Sequence, residues 1–254
     1  MKSIAFLSGL LLFMFFPDVQ GTSAGQDTLP AAEVVIERFI QVTGGRPAYE
    51  KLHSQITMGS VEFLGAGIKG KFAEYRAEPA RIYRSFDFPN TGRIEAGADG
   101  DVAWERSSET GPRLKTGDDK AGALRDATFN ALLRWRELYS RVECTGKDVV
   151  GGETCYRLLL TPKTGKPVTY WYDLESGLLV KVAMTSETPT LGEILTETFL
   201  GDYRNVEGIL LPHRVNRKVL SQEILTLVES IQLNAPIPEG RFDIPAEIQT
   251  LLKK

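Results

Sequence analysis

The sequence predicts a mainly β protein of antiparallel strands, with a few helices laid against the sheet. Three observations carry that prediction. From Gln55 onward apolar residues recur with a period of two, and turn residues break the pattern every eight to twelve positions. Most links between successive strands are too short for a crossover helix, so neighbouring strands must run antiparallel. Strong helical periodicity is confined to a stretch before the strands and one among them.

The 254-residue chain opens with Lys2 and a mostly apolar run of 13 residues from Ile4 to Phe16, ended by Pro17. As a helix that run rises about 20 Å, short of the roughly 30 Å of a hydrocarbon core. It therefore reads as a signal peptide rather than an uncleaved anchor, with Val19-Gln20-Gly21 offering the small residues a signal peptidase reads. No cysteine near that point is placed to carry a lipid. Residues 1–21 are expected to be removed, 22–29 to form a short flexible lead, and 30–254 to form a single domain.

The domain begins with an amphipathic run from Ala31 to Thr43, whose residues 35, 36, 39, 40 and 42 make one apolar side. Gly44-Gly45 stops this helix, and Pro47 starts a short second one through Leu52. Strands are expected over 55–64, 68–77, 80–88, 92–97, 101–107, 146–150, 154–161, 167–173, 178–185, 194–204, 209–220 and 223–233. Their turns are Gly65-Ala66-Gly67, Ala98-Asp99-Gly100, Gly151-Gly152 and Glu207-Gly208, of which Asp99-Gly100 is the sharpest because both residues tolerate the positive φ of a tight hairpin. Alternation puts Ile82, Phe86 and Phe88 on one face, and Leu225, Leu227, Ile231 and Leu233 on another common face. One long helix is expected from Asp118-Asp119 to about Tyr139. Its stripe of Leu124, Ala131, Leu132, Trp135, Leu138 and Tyr139 lies opposite Asp126, Asn130 and Glu137. A lone amphipathic helix among strands must cover an apolar sheet face.

The net charge of −3, with basic and acidic residues interspersed, leaves no electrostatic footprint for nucleic acid. Cys144 and Cys155 would meet an oxidising compartment after export. If Gly151-Gly152 makes a two-residue turn, Cys155 faces Asp148 and Cys144 lies about four residues away, too far to pair. A bulge near Gly146 would restore the geometry, and a bond there would contribute about 3 kcal/mol. The pairing stays open at this point.

Two literal motif matches fail on context. Gly65 to Gly70 fits the dinucleotide fingerprint, but a strand follows where a helix N-terminus must face the pyrophosphate. Gly21 to Gly25 fits the nucleophile elbow, but it sits at the signal-peptide junction with no strand before it. His53 and His213 have no second ligand at metal-binding spacing, so no metal is expected. Asp87, Glu95, Asp126, Glu175 and Glu197 fall on different elements, and nothing selects a catalytic pair among them. Trp104, Trp135 and Trp171 are either core residues or the lining of a cavity beneath the helix.

Several segments together resemble one family of exported bacterial proteins. Phe39-Ile40-Gln41-Val42-Thr43-Gly44-Gly45 with Ala48 to Leu52 is similar to its N-terminal helix and double-glycine stop, and Arg125 to Asn130 with Arg136 to Tyr139 to its central helix. Thr169 to Leu179 resembles its strand-turn-strand; Gly201 to Arg204, Gly208 to Pro212, Asn234 to Pro238 and Phe242 to Pro245 complete the order. The family is the LolA/LolB-like superfamily, which includes outer-membrane lipoprotein-sorting proteins, and the likeness covers roughly residues 30–246. It implies a curved antiparallel incomplete β-barrel with helices covering the concave face over an apolar cavity.

The expected function is then a periplasmic binding protein that holds acyl chains of a lipid or lipoprotein, without catalysis or cofactor, for transport to the outer membrane. Trp104, Phe129, Leu132, Trp135 and Trp171 are the candidate lining residues. The alternatives are an envelope sensor domain that binds a partner protein, and a periplasmic hydrolase with a convergent titratable pair inside the cavity.

Overall fold

The computed structural model describes residues 28–253 apart from 90 and 189–191, so the expected signal peptide and most of the lead lie outside the described residues. Thirteen strands follow one another: β1 (Ser54–Phe63), β2 (Ile68–Ala77), β3 (Arg81–Phe88), β4 (Gly92–Asp99), β5 (Val102–Ser107), β6 (Gly111–Leu114), β7 (Tyr139–Val150), β8 (Glu153–Pro162), β9 (Val168–Asp173), β10 (Leu179–Thr188), β11 (Gly192–Val206), β12 (Ile209–Val219) and β13 (Gln222–Leu233). The helices are α1 (Ala32–Val42), α2 (Arg46–Tyr49), α3 (Gly117–Ala127), α4 (Trp135–Leu138) and α5 (Ala246–Leu252). All the strands join one curved antiparallel sheet in the order β6-β5-β4-β3-β2-β1-β13-β12-β11-β10-β9-β8-β7. The sheet does not close, and β6 and β7 are its free edges.

Two-residue hairpins set much of the register. Val150 pairs with Glu153 across Gly151 and Gly152, both at positive φ, and Val206 pairs with Ile209 across Glu207 and Gly208, also both positive. Each expected strand is present, with its ends moved by a few residues. The segment 146–150 is only the end of β7, which begins at Tyr139.

The expected helix over 118–139 is broken. α3 ends at Ala127, Thr128 leaves the helical region, and Asn130 adopts φ 51°. The Phe129 N–H donates to the Pro79 carbonyl at 3.1 Å, and Asn130 Nδ2 donates to the Tyr49 carbonyl at 2.9 Å. Asn tolerates the left-handed conformation, so these tertiary bonds replace helical ones at little strain.

A bulge divides β13. Met58 faces Ser230 while Gly59 faces Val228, leaving Glu229 extra. Ile224, Thr226 and Val228 therefore face the same side as Ile231, and Leu225 and Leu227 point to the other. The common face expected for Leu225, Leu227, Ile231 and Leu233 does not exist, because one inserted residue inverts the alternation.

The concave face is covered by helices, and the convex face is covered over its β1–β6 half. On the concave side α1 buries Val35, Ile36, Phe39 and Ile40 against Leu158, Leu160, Tyr172 and Leu179, and α3 packs Ala123, Leu124 and Ala127 on Ile82, Ala98 and Ala103. On the convex side the C-terminal tail, absent from the expected elements, lays Ile237, Phe242, Ile244, Ile248 and Leu251 over Ile56, Tyr75, Tyr83 and Trp104. Arg241 caps this stack, its guanidinium 4.5 Å from the Tyr75 ring centre.

The two cysteines are free. Cys155 faces Asp148 as the turn requires, while Cys144 faces Leu158. The bulge between Cys144 and Gly146 is present without bringing the sulfurs together. Burial and the nearby Asp173 carboxylate push the Cys155 thiol up to about 11.

The bulge makes Gly59 irreplaceable, since a Cβ there would lie 2.0 Å from the Leu227 carbonyl oxygen. Gly59→Ala is expected to lower stability by about 2 kcal/mol or more in urea unfolding, while Gly65→Ala, with open space around it, stays within about 0.5 kcal/mol.

Candidate functional site

The concave sheet face and its helical cover bound a half-open cavity of about 980 Å³. On the β1–β4 side its wall carries Phe63, Phe72, Phe86, Phe88 and Ile94, with the Phe63–Phe88 and Phe72–Phe86 ring centres each 5.3 Å apart. Gly70 leaves the space that the Phe88 ring fills, since a Cβ would sit 2.6 Å from it. The β10–β13 side adds Val182, Leu200, Val215, Val228 and Ile231, and the cover contributes Phe129, Ala131, Leu132 and Leu133.

Charged residues also line the cavity, among them Glu105, Lys115, Asp118, Asp119, Arg125 and Lys166, and one cluster joins the cover to the sheet. Arg76 Nε and Arg84 Nε donate to opposite oxygens of Glu74 at 2.7 and 2.6 Å. Arg76 also reaches the Asp126 carbonyl at 2.7 Å and its carboxylate at 2.8 Å, while Arg84 reaches that carboxylate at 3.2 Å. The cluster ties the C-terminal turn of α3 to β2 and β3. Burial alone would raise both carboxyl pKa values, but the Arg76 and Arg84 guanidiniums outweigh it and hold Glu74 and Asp126 below their ordinary range. Arg217 of β12 lines the same cavity, opposite Thr198 of β11 and Ile224 of β13. Its pKa is lowered by burial and by Arg84, against the pull of Asp126 and Glu74.

Of the five candidate residues, the structure brings two to the cavity: Phe129 and Leu132 both line it. Trp104 is on the opposite face, 2% exposed under α5, because it alternates with the concave position Glu105. Trp135 is buried between the cover and α1, its indole N–H donating to Glu37 Oε1 at 3.2 Å and its ring under Arg136 at 4.0 Å. Trp171 alternates with the lining residue Tyr170 and donates to Asp148 Oδ2 at 2.7 Å, with Lys181 over its ring at 4.6 Å. Among the described residues no group of three or more histidine, cysteine and acidic side chains is placed to hold a metal.

No protein-family model matches the sequence, and no curated protein matches it. Solved structures do. The chain is similar to a LolA superfamily protein from Nitrosomonas europaea, with a TM-score of 0.55 over 85% of this chain and 99% of that one, at 14% identity. The fold is LolA-like. A domain from Vibrio parahaemolyticus assigned as an outer membrane lipoprotein-sorting protein gives a TM-score of 0.54 at 13% identity, covering 88% of this chain and 98% of that one. A DUF1329 family protein from Desulfovibrio piger gives 0.55 at 14% identity, over 85% and 98%.

Within this LolA-like cavity the charged residues are what the sequence reading missed. Their signal was present. Arg84 interrupts the apolar row Ile82, Phe86, Phe88, and Arg217 interrupts Val215 and Val219. A charge on the inward face of a strand marks a partner or a polar site.

The pH dependence of the cluster follows from its sign. The folded pKa values lie below the ordinary 4.5 of Glu74 and 3.8 of Asp126, so the stabilisation is complete above those ordinary values and is lost as pH falls from them through the lower folded ones. In urea unfolding Glu74→Gln is expected to be about 2–4 kcal/mol less stable than wild type at pH 7, and the difference to shrink as pH is taken below the ordinary 4.5 toward the lowered folded value. A constant difference across that range would show that the carboxylate charge is not what stabilises the cover.

Proposed function

We propose that the mature chain is a periplasmic binding protein that holds acyl chains of a lipid or lipoprotein inside the LolA-like cavity, for transfer toward the outer membrane. The observation that carries this reading is the cavity itself. At about 980 Å³ it lies near the upper end of the 300–1,000 Å³ typical of small-molecule sites. Its walls are built chiefly from phenylalanine, leucine, isoleucine and valine. A chain of about 16 carbons, at about 0.8 kcal/mol per methylene, would gain at most about 12 kcal/mol before ordering costs. The likeness to a domain assigned to lipoprotein sorting supports the same direction.

Binding rather than catalysis is favoured by the state of Glu74 and Asp126, two of the carboxylates that line the cavity. Glu74 and Asp126 are each bonded to arginines that hold them ionised, whereas a general acid near neutral pH needs a raised pKa. Residues 30–254 then act as one domain behind a cleaved signal peptide of residues 1–21. Phe129 and Leu132 are the lining residues that contact the chain, while Trp104, Trp135 and Trp171 hold the sheet and cover in place.

Native mass spectrometry of protein purified from periplasm without detergent tests the reading. Wild type is expected to carry lipid masses, and Leu132→Asp to lose them by at least about tenfold with unchanged far-ultraviolet dichroism. A clean apo mass that persists after incubation with phospholipid vesicles would overturn acyl binding.

A further inference from the structure

Arg217 is an unusual occupant of an apolar wall. It projects from a central strand of the sheet, with the apolar Val215 and Val219 two residues to either side lining the cavity with it. Arg76 and Arg84 are both engaged by Glu74 and Asp126, yet among the described residues Arg217 donates no hydrogen bond and forms no ion pair. In this cluster three guanidiniums thus face two carboxylates, which leaves one positive charge in excess at this part of the wall. Arg217 is half-buried, and a charge partly withdrawn from water and left without a partner carries a desolvation cost that a bound anion would offset. The hydroxyl residues Thr196, Thr198 and Thr226 line the same wall on the strands to either side, Thr198 directly opposite Arg217 in the register. A guanidinium with hydroxyls beside it is the donor set that receives a carboxylate or a phosphate.

We propose that Arg217 recognises an anionic headgroup, a carboxylate or phosphate, carried on the acyl chain that the cavity holds. The inference rests on the acyl-chain reading above and narrows it to amphiphiles with a negative head buried inside the protein. The apolar wall takes the chain, and the head neutralises the surplus charge. Arg76 and Arg84 stay committed to holding α3, so the site uses a cation that the cover does not need.

Delipidated protein, titrated calorimetrically with dodecanoate, dodecyl phosphate, dodecanol and inorganic phosphate, tests it. Wild type is expected to bind dodecanoate or dodecyl phosphate at least about tenfold more tightly than dodecanol, and inorganic phosphate far more weakly than either. Arg217→Gln should bring the anionic amphiphiles down to the level of dodecanol while leaving dodecanol unchanged, and Arg217→Lys should keep part of the preference. Equal binding of anionic and neutral amphiphiles by wild type overturns the headgroup assignment and leaves acyl binding intact. This comparison needs no variant to fold. Inorganic phosphate bound as tightly as dodecyl phosphate makes the site one for a free anion and overturns the lipid source. Failure of all three amphiphiles to bind overturns the acyl reading itself.

Discussion

The structure depends on one constraint: a sheet of 13 strands that never closes cannot hide its apolar concave face by itself. A closed barrel hides its interior by its own curvature, whereas an open one needs material from elsewhere in the chain. Here the convex face of the β1–β6 half is sealed by the C-terminal tail and α5, through a compact aromatic stack around Tyr75, Tyr83 and Trp104. The concave face receives α1 at the β7–β10 end and α3 at the β3–β5 end. These helices are 11 residues each, about 16 Å, too short to fill the trough between them. The cavity is what remains.

Polar chemistry then fixes where the cover sits. Apolar contact alone is non-directional and would let α3 slide along the trough. The four-membered group of Glu74, Arg76, Arg84 and Asp126 gives it one position, because two planar guanidiniums and two carboxylates meet in specific geometry. Glu37 acts in the same way at the other end, accepting from Arg46, Trp135 and Arg136 and so joining α1 to the segment that carries Phe129 and Leu132. Specificity of placement is a role attested for buried ionic groups, distinct from their net contribution to stability.

Much of this was legible in the sequence. The strands declared themselves by alternation, and the Gly151-Gly152 and Glu207-Gly208 turns by residues that accept positive φ. The start of β7 carried the same signal in Val142 and Cys144, but the helical stripe through Leu138 and Tyr139 competed with it. The break at Asn130 was not legible, because its cause is a pair of bonds to Pro79 and Tyr49, residues distant in the chain. The site was half legible. Phe129 and Leu132 follow from their place on the cover, but which face a strand turns inward is a tertiary property, and size alone misplaced Trp104 and Trp171. The bulge beside Gly59 shows the limit well: one residue, invisible to periodicity, exchanges the faces of one part of a strand relative to the other.

The order of the sheet has one more consequence. The chain passes from the β6 edge to the β7 edge through α3 and α4, so the cover is a strap tied to both rims of the trough. Midway it is fastened again on each side, by Arg76 and Arg84 to one arm and by Arg125 to the Thr164 carbonyl on the other at 3.1 Å. A strap anchored at both rims has no free end to swing. Room for a bulkier guest must come from the rims spreading, so the volume of the guest and the curvature of the sheet are a single mechanical variable.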